Sequence, residues 1–158
     1  MRVTTQVSGG QRMGQRIKAI QDRLRSNSGV YVGVPASAGT YESGESIAVI
    51  AAVQEFGSAD GRIPERSFLR VPLRSNQQDF AAVLAGSLSD VLSGNLSMAQ
   101  LMDQLGARAA ATSQEAISAG IPPPNAPSTI QQKESSTPLI DSGNLRQNIT
   151  WVVEGEAE

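Results

Sequence analysis

Cysteine and histidine are both missing from this sequence. Without cysteine there is no disulfide frame, no thiolate nucleophile and no sulfur-ligated zinc. Without histidine there is no Ser-His-Asp triad, no Cys-His pair and no imidazole metal ligand. Aromatics are scarce, one Trp, two Tyr and three Phe in 158 residues, so aliphatic side chains and alanine have to pack the core. Long apolar runs are missing as well: the longest, over 47–53, has seven residues, against the roughly 20 a membrane-spanning helix needs. Residues 1–30 hold basic residues but no continuous apolar core, so neither a signal peptide nor export by the usual route is expected.

The length suits one domain over 1–158, with 1–10 and 154–158 flexible, and buries roughly two thirds of the unfolded surface. A formal net charge of −2 argues against a free-standing nucleic-acid binder. That charge is unevenly divided. Residues 1–74 carry ten basic and six acidic side chains, whereas residues 75–158 carry three and nine. Such polarity suits head-to-tail contacts between copies, although a solvated surface gives the same composition.

Along the chain, Met13, Ile17, Ile20 and Leu24 recur at helical spacing and predict a helix over 11–25 with one narrow apolar stripe. Arg12, Arg16, Lys18, Arg23 and Arg25 occupy its other faces against a single Asp22. A solvated face is the favoured reading, and a basic surface for DNA or an acidic partner is the other. Turn residues at 26–29 end the helix, and the β-branched run 30–34 predicts a strand stopped by Pro35. Residues 36–46 form a polar loop expected to be mobile, with Ser46 placed to cap a short helix over 47–55. Ser75-Asn76-Gln77-Gln78 and Ser97-Met98-Ala99-Gln100 are capping-box candidates for helices over 77–93 and 97–118. The first presents Phe80, Val83, Leu84, Leu88, Val91 and Leu92 as one core-facing stripe. The small residues at 107–111 of the second permit close packing. The proline-rich 121–127 should run extended. Asp141 is placed to cap a short helix over 142–148, and 149–153 closes the chain as a strand. The expected architecture is therefore α+β: a small, mostly antiparallel sheet including strands near 30–34 and 149–153, packed by three main helices, with long polar loops.

Little enzyme chemistry is visible. No phosphate-binding glycine loop, no ordered dinucleotide fingerprint and no nucleophile elbow is present. Carboxylates do not cluster at metal-ligand spacing, and Glu42 and Glu45 read as solvated loop residues. Neither catalysis nor a cofactor is expected.

The stretch that invites a function is 55–70. A compact apolar helix runs into Glu55-Phe56-Gly57; a turn-rich loop follows; then come Arg62, Ile63, Pro64, Arg66, Phe68 and Arg70. Arg62, Arg66, Arg70 and Arg74 recur every fourth residue, but Pro64 and Pro72 argue against one continuous helix. Arginines beside an aromatic have the composition of an interface anchor. The alternative is that Phe68 and Leu69 plug the core while the arginines pair with Glu55 and Glu65. Asp141, Gly143 and Leu145 pose the same choice, between a helix start that packs internally and an element presented to a neighbour.

In four segments the chain resembles the neck and tail-completion proteins of tailed bacteriophages, the group akin to minor tail protein Z and the virion-morphogenesis proteins. The segments are Ala48-x-x-Ala51-Ala52-x-x-Glu55-Phe56-Gly57; Ile63-Pro64-x-Arg66-x-Phe68-Leu69-Arg70; Pro124-Asn125-Ala126-Pro127-Ser128-Thr129-Ile130-x-x-Lys133; and Pro138-Leu139-Ile140-Asp141-Ser142-Gly143-x-Leu145-Arg146-x-x-Ile149-Thr150. They fall in the family's order, with a helical stretch between the second and third. The chain departs from the family at Ser67, where proline is common, at Ser142, where threonine is, and at Glu134, where glycine usually follows the lysine. The resemblance implies a structural virion protein that completes the tail top and joins tail to head as a ring subunit matched to six-fold symmetry. Its partners would be further copies, the tail tube or tail terminator, and head–tail connector proteins, with DNA at most passing through the ring and no membrane contact. It would be assembled in the host cytoplasm and end in the virion neck. The rival readings are a tail terminator that caps the tube and sets its length and, more distantly, a DNA-contacting packaging or regulatory module. Candidate interface residues are Glu55, Phe56, Arg62, Arg66, Phe68, Arg70, Asn125, Lys133, Asp141 and Leu145. The 57–70 loop and the 121–141 segment are the expected contact arms.

Overall fold

The computed structural model of the protein describes residues 10–24, 29–127, 130, 138–139 and 143–154. In order they form α1 (Gly10–Leu24), β1 (Val30–Gly33), a 3-10 turn at Ala36–Ala38, α2 (Ile47–Phe56), α3 (Arg70–Ser75), α4 (Gln77–Ser93), α5 (Met98–Ala119), α6 (Asn144–Gln147) and β2 (Thr150–Val153). The fold is α+β, mostly helical, with one antiparallel strand pair among the described residues.

The longest helix, α5, organises the rest. It begins with a complete capping box: Ser97 Oγ accepts from the Gln100 amide at 3.1 Å, and Gln100 Oε1 accepts from the Ser97 amide at 3.0 Å. That satisfies two of the amides a helix start otherwise leaves open. The preceding helix stops at Gly94, whose left-handed backbone (φ 82) lets its amide reach the Val91 carbonyl. A short turn then sets α4 against α5.

Against another side of α5 lies the sheet. β1 and β2 pair with Val30 opposite Val153, Tyr31 opposite Val152, Val32 opposite Trp151 and Gly33 opposite Thr150. The Glu154 amide adds a bond to the Gly29 carbonyl at 2.8 Å. Opposite residues of an antiparallel pair share a face. Val30, Val32, Trp151 and Val153 accordingly pack inward, while Tyr31 and Val152 face solvent. Two apolar clusters result. One joins Ala51, Phe68, Ala110, Ile117, Leu145 and Ile149; the other joins Val91, Leu101, Met102 and Val153; and Trp151 packs against both.

The close approach of sheet to helix depends on Gly106. A Cβ there would overlap Trp151 Cδ1 and stand 2.6 Å from its Cγ. With the glycine in place the indole lies on the helix and its Nε1 donates to Asp103 Oδ1 at 2.8 Å.

Several expectations need correction. The second capping box, at 75–78, does not form. α3 leads almost directly into α4, so Asn76 donates its side-chain amide to the Pro72 carbonyl instead of capping. Pro72 is tolerated because it sits in the first turn of α3, where a missing amide breaks no helical bond. Ser46 occupies the N-cap position of α2 without a side-chain bond. Asp141 lies outside the described residues, and the residue before α6 is Gly143. The loop over 36–46 is closed by a Thr40–Ser46 bridge and by the Tyr41 amide on the Glu45 carbonyl at 2.9 Å. Of the α4 stripe, Val91 is fully buried and Leu84 packs against the same cluster, whereas Leu88 is exposed. α1 packs on α4 rather than on the sheet, and its Met13 and Ile17 are exposed.

Replacing Gly106 by alanine should force Trp151 away from α5. Overpacking of this kind costs about 1–3 kcal/mol, and thermal unfolding should fall by roughly 3–10 °C for a domain of this size. Differential scanning calorimetry checks it, with quenching or a shift of the single tryptophan's emission marking the displaced ring.

Candidate interface site

The stretch 54–70 is held by one buried carboxylate. Glu55 lies in the last turn of α2 and is only 3% exposed. A lone carboxylate in that position would cost several kcal/mol. Four donors prevent it. Ser67 Oγ donates at 2.7 Å, the Leu69 amide at 2.9 Å, the Arg70 amide at 3.1 Å and Arg70 Nε at 2.9 Å. Two of these donors are backbone amides at the start of α3, so Glu55 from α2 caps α3 across space, where a helix leaves amides open and favours negative charge. Ser67 extends the arrangement by accepting from the Val71 amide at 3.1 Å. Burial raises the Glu55 carboxyl, but the bonds from Ser67, Leu69 and Arg70 together outweigh it and hold the group below its ordinary value.

Arg70 is shared. Its Nη2 donates to the Glu55 carbonyl at 3.0 Å and to Glu65 at 2.8 Å, and its guanidinium lies 4.5 Å from the centroid of the Phe56 ring. The bond to Glu55 is the leading cause that raises Arg70 above its ordinary value. Phe56 itself is 63% exposed. The clasp is therefore buried on one side and offers an arginine-covered aromatic ring on the other.

Gly57 makes the geometry possible. Its φ of 78 is left-handed, and a Cβ would meet the Glu65 amide at 3.1 Å and the Ile63 carbonyl at 3.2 Å. Beyond it the Ser58 amide bonds the Ile63 carbonyl at 2.9 Å, and Ser58 Oγ accepts from the Ile63 amide at 2.8 Å. Asp60 accepts from Ser58 Oγ at 2.6 Å and pairs with Arg62 at 3.2 Å. The bond from Ser58 is the main reason its carboxyl is lowered.

Arg66 joins two segments that are far apart in sequence. Its amide bonds the Gln54 carbonyl at 2.7 Å, while Nε donates to the Pro123 carbonyl at 2.9 Å and Nη2 to that of Pro124 at 3.2 Å. Proline carbonyls in an extended run have no helical or sheet partner, so a planar guanidinium suits two of them. Burial pushes Arg66 below its ordinary value. Leu145 and Ile149 reach the same region from the other end of the chain, packing in one cluster with Ala51 and Phe68.

Of the two roles open for this stretch, the internal one describes Phe68, which is fully buried, and Glu55, Arg66 and Leu145, which are buried too. The surface is made by Phe56, Arg62 and Arg70, and Asn125 is half-buried beside the arginine-bound prolines. Lys133 lies outside the described residues, as Asp141 does. Ser67 and Gln54 went unnoticed in the sequence. A serine preceding a helix start was the available signal for Ser67; Gln54 holds Arg66 by its backbone carbonyl and, at 3.5 Å, by its side-chain Oε1 accepting from Arg66 Nη1, a non-local pairing that leaves no local signal. The serine that departs from the resemblance thus supplies a hydroxyl to Glu55 that proline could not. Among the described residues no group of three or more acidic side chains is placed to hold a metal ion, and no helix is long and apolar enough to cross a membrane. Compared with known protein families, curated proteins and solved structures, the chain matches none.

Because Glu55 is lowered in the folded chain, its contribution to stability is fully present above its ordinary value of 4.5 and is lost as pH falls toward the lower folded value. Urea unfolding from pH 7 down to pH 3 should therefore show an acid limb that Glu55→Gln makes shallower. Glu55→Ala, which strands the Ser67 and amide donors, should cost about 3 kcal/mol at pH 7. Arg66→Ala takes the donor away from the Pro123 and Pro124 carbonyls, so a non-specific protease should cut within 121–127 faster while the Leu69 and Arg70 amides, held by Glu55, keep their hydrogen-exchange protection. Unchanged cleavage in the variant would remove Arg66 as the link to that segment.

Proposed function

We propose that the protein is a structural virion component of a tailed phage, one that completes the tail top and joins tail to head as a ring subunit. The supporting observation is convergence. Residues from all four segments that carry the resemblance meet in three dimensions: Ala51 and Glu55, Phe68 and Arg70, the Arg66-bound Pro124, and Leu139, Leu145 and Ile149. A pattern scattered over a hundred residues is thus one connected piece of structure, as expected if it specifies a shared fold. The exposed Phe56–Arg70 pair is the part of that piece a neighbour could read, and the polar division of charge along the chain favours contacts between unlike surfaces. On this reading the protein acts by shape and contact, in the neck of the particle, beside the tail tube or terminator and the head–tail connector, without a cofactor.

Electron microscopy of lysates from a phage lacking the gene tests the role. Filled heads beside separate tails of normal length are the expected result. Overlong, irregular tails would replace it with a terminator, and joined, intact particles would exclude a neck role altogether.

A further inference from the structure

Two helices carry apolar faces that stay largely open in the described chain, although Arg70 covers one side of the Phe56 ring at the end of α2. On α2, Ile47, Ala51 and Glu55 turn inward, while Val49, Ala52 and Phe56, spaced by three and four residues, face solvent; Val49 is 61% exposed. A helix apolar on both sides is normally buried on both. On α1, Met13 and Ile17 are 62% and 50% exposed and lie on the same stripe as the half-buried Ile20. Both faces are narrow and of similar length.

Their surroundings differ in sign. α1 carries Arg12, Arg16, Lys18 and Arg23 against Asp22, and Arg16 and Lys18 are exposed. The turn that leads into α2 carries Glu42 and Glu45, both exposed, with no basic residue between 40 and 56. The turn is fixed to the helix start by the Thr40–Ser46 bridge and by the Ile47 amide on the Gly39 carbonyl at 3.1 Å, so the acidic pair has a set place at one end of α2. At the other end Arg70 is already occupied by Glu55 and Glu65. Two α1 helices would repel each other; α1 against α2 brings opposite charges together at the rim of an apolar strip.

We infer that the α1 stripe of one copy docks on the Val49–Ala52–Phe56 face of α2 in the next, with Arg16, which borders the stripe one helical turn from Met13 and Ile20, beside Glu42 and Glu45. The contact is heterologous: each copy keeps one free α1 and one free α2, so addition continues until a ring closes. This deepens the ring reading above, but it places the contact on α1 and α2 rather than on the arms at 57–70 and 121–141.

The absence of cysteine makes the test direct, because each engineered thiol is the sole one in its chain. Full-length Ile17→Cys and Ala52→Cys variants are treated with a short bismaleimide, separately and as a mixture. A cross-linked dimer that forms in the mixture at least fivefold above either variant alone is the expected result. Adding Arg16→Glu to the first variant should abolish it, and Glu42→Lys with Glu45→Lys on the second should restore it. Cross-linking by Ile17→Cys alone would mean a symmetric α1 pair and overturn the proposal. So would a mixture that does not cross-link, including one in which α1 is retained on anionic vesicles. The readout needs no phage: joined particles from the gene-lacking phage would end the neck role and leave the cross-link standing, whereas a missing cross-link would end this contact and leave the neck role open.

Discussion

A carboxylate withdrawn from water must be surrounded by donors, and around Glu55 that requirement fixes the positions of three elements together. Its oxygens take the Ser67 hydroxyl, the Leu69 and Arg70 amides and the Arg70 guanidinium. These donors are available only if the chain reverses at Gly57 and returns to begin α3 beside the end of α2. Once it does, Phe68 points into the core and Arg66 is presented to the 121–127 segment. Breaking the set by removing Glu55 leaves amides, hydroxyl and guanidinium to be rehydrated or strained, which is why the loop between the helices has one geometry despite its length.

The second constraint is steric. Trp151 can lie on α5 because position 106 has no side chain, and that contact lets one indole pack against both apolar clusters. Polar fixation of α3 on the end of α2 and ring-on-backbone packing near the middle of α5 are different kinds of interaction. The first is directional and sensitive to charge; the second depends on volume. Between them they allow a chain with few aromatics to hold a two-stranded sheet that would be only marginally stable alone.

Much of this was legible in the sequence. The bounds of α4 and α5, the stop at Gly94, the Ser97 box and both strands follow from periodicity and turn chemistry, which are local signals. What was hidden is non-local. Nothing near Arg66 says that its guanidinium reaches carbonyls 57 and 58 residues away, and prolines give no periodic pattern to match. Asn76 reads as a cap until α3 is known to abut α4. The stripe on α1 looks like a core face, because amphipathicity records that a side will be covered without recording by what. Within the candidate site, the alternation of arginine with Phe68 could not separate an inward ring from an outward one, whereas Phe56, next to a glycine at a helix end, is the aromatic left on the surface.

The strand pairing also has a consequence for how the chain comes into being. β1 is made early and β2 late, with more than a hundred residues between them, yet Gly29 and Glu154 are hydrogen-bonded neighbours. While a ribosome is still extending the chain, α4 and α5 can form and meet, but the hollow over Gly106 stays open until Trp151 has left the exit tunnel. The nascent protein therefore carries an unfilled apolar seam through most of its synthesis. The sheet is complete only when β2 pairs beside β1 and both strands lie on α5.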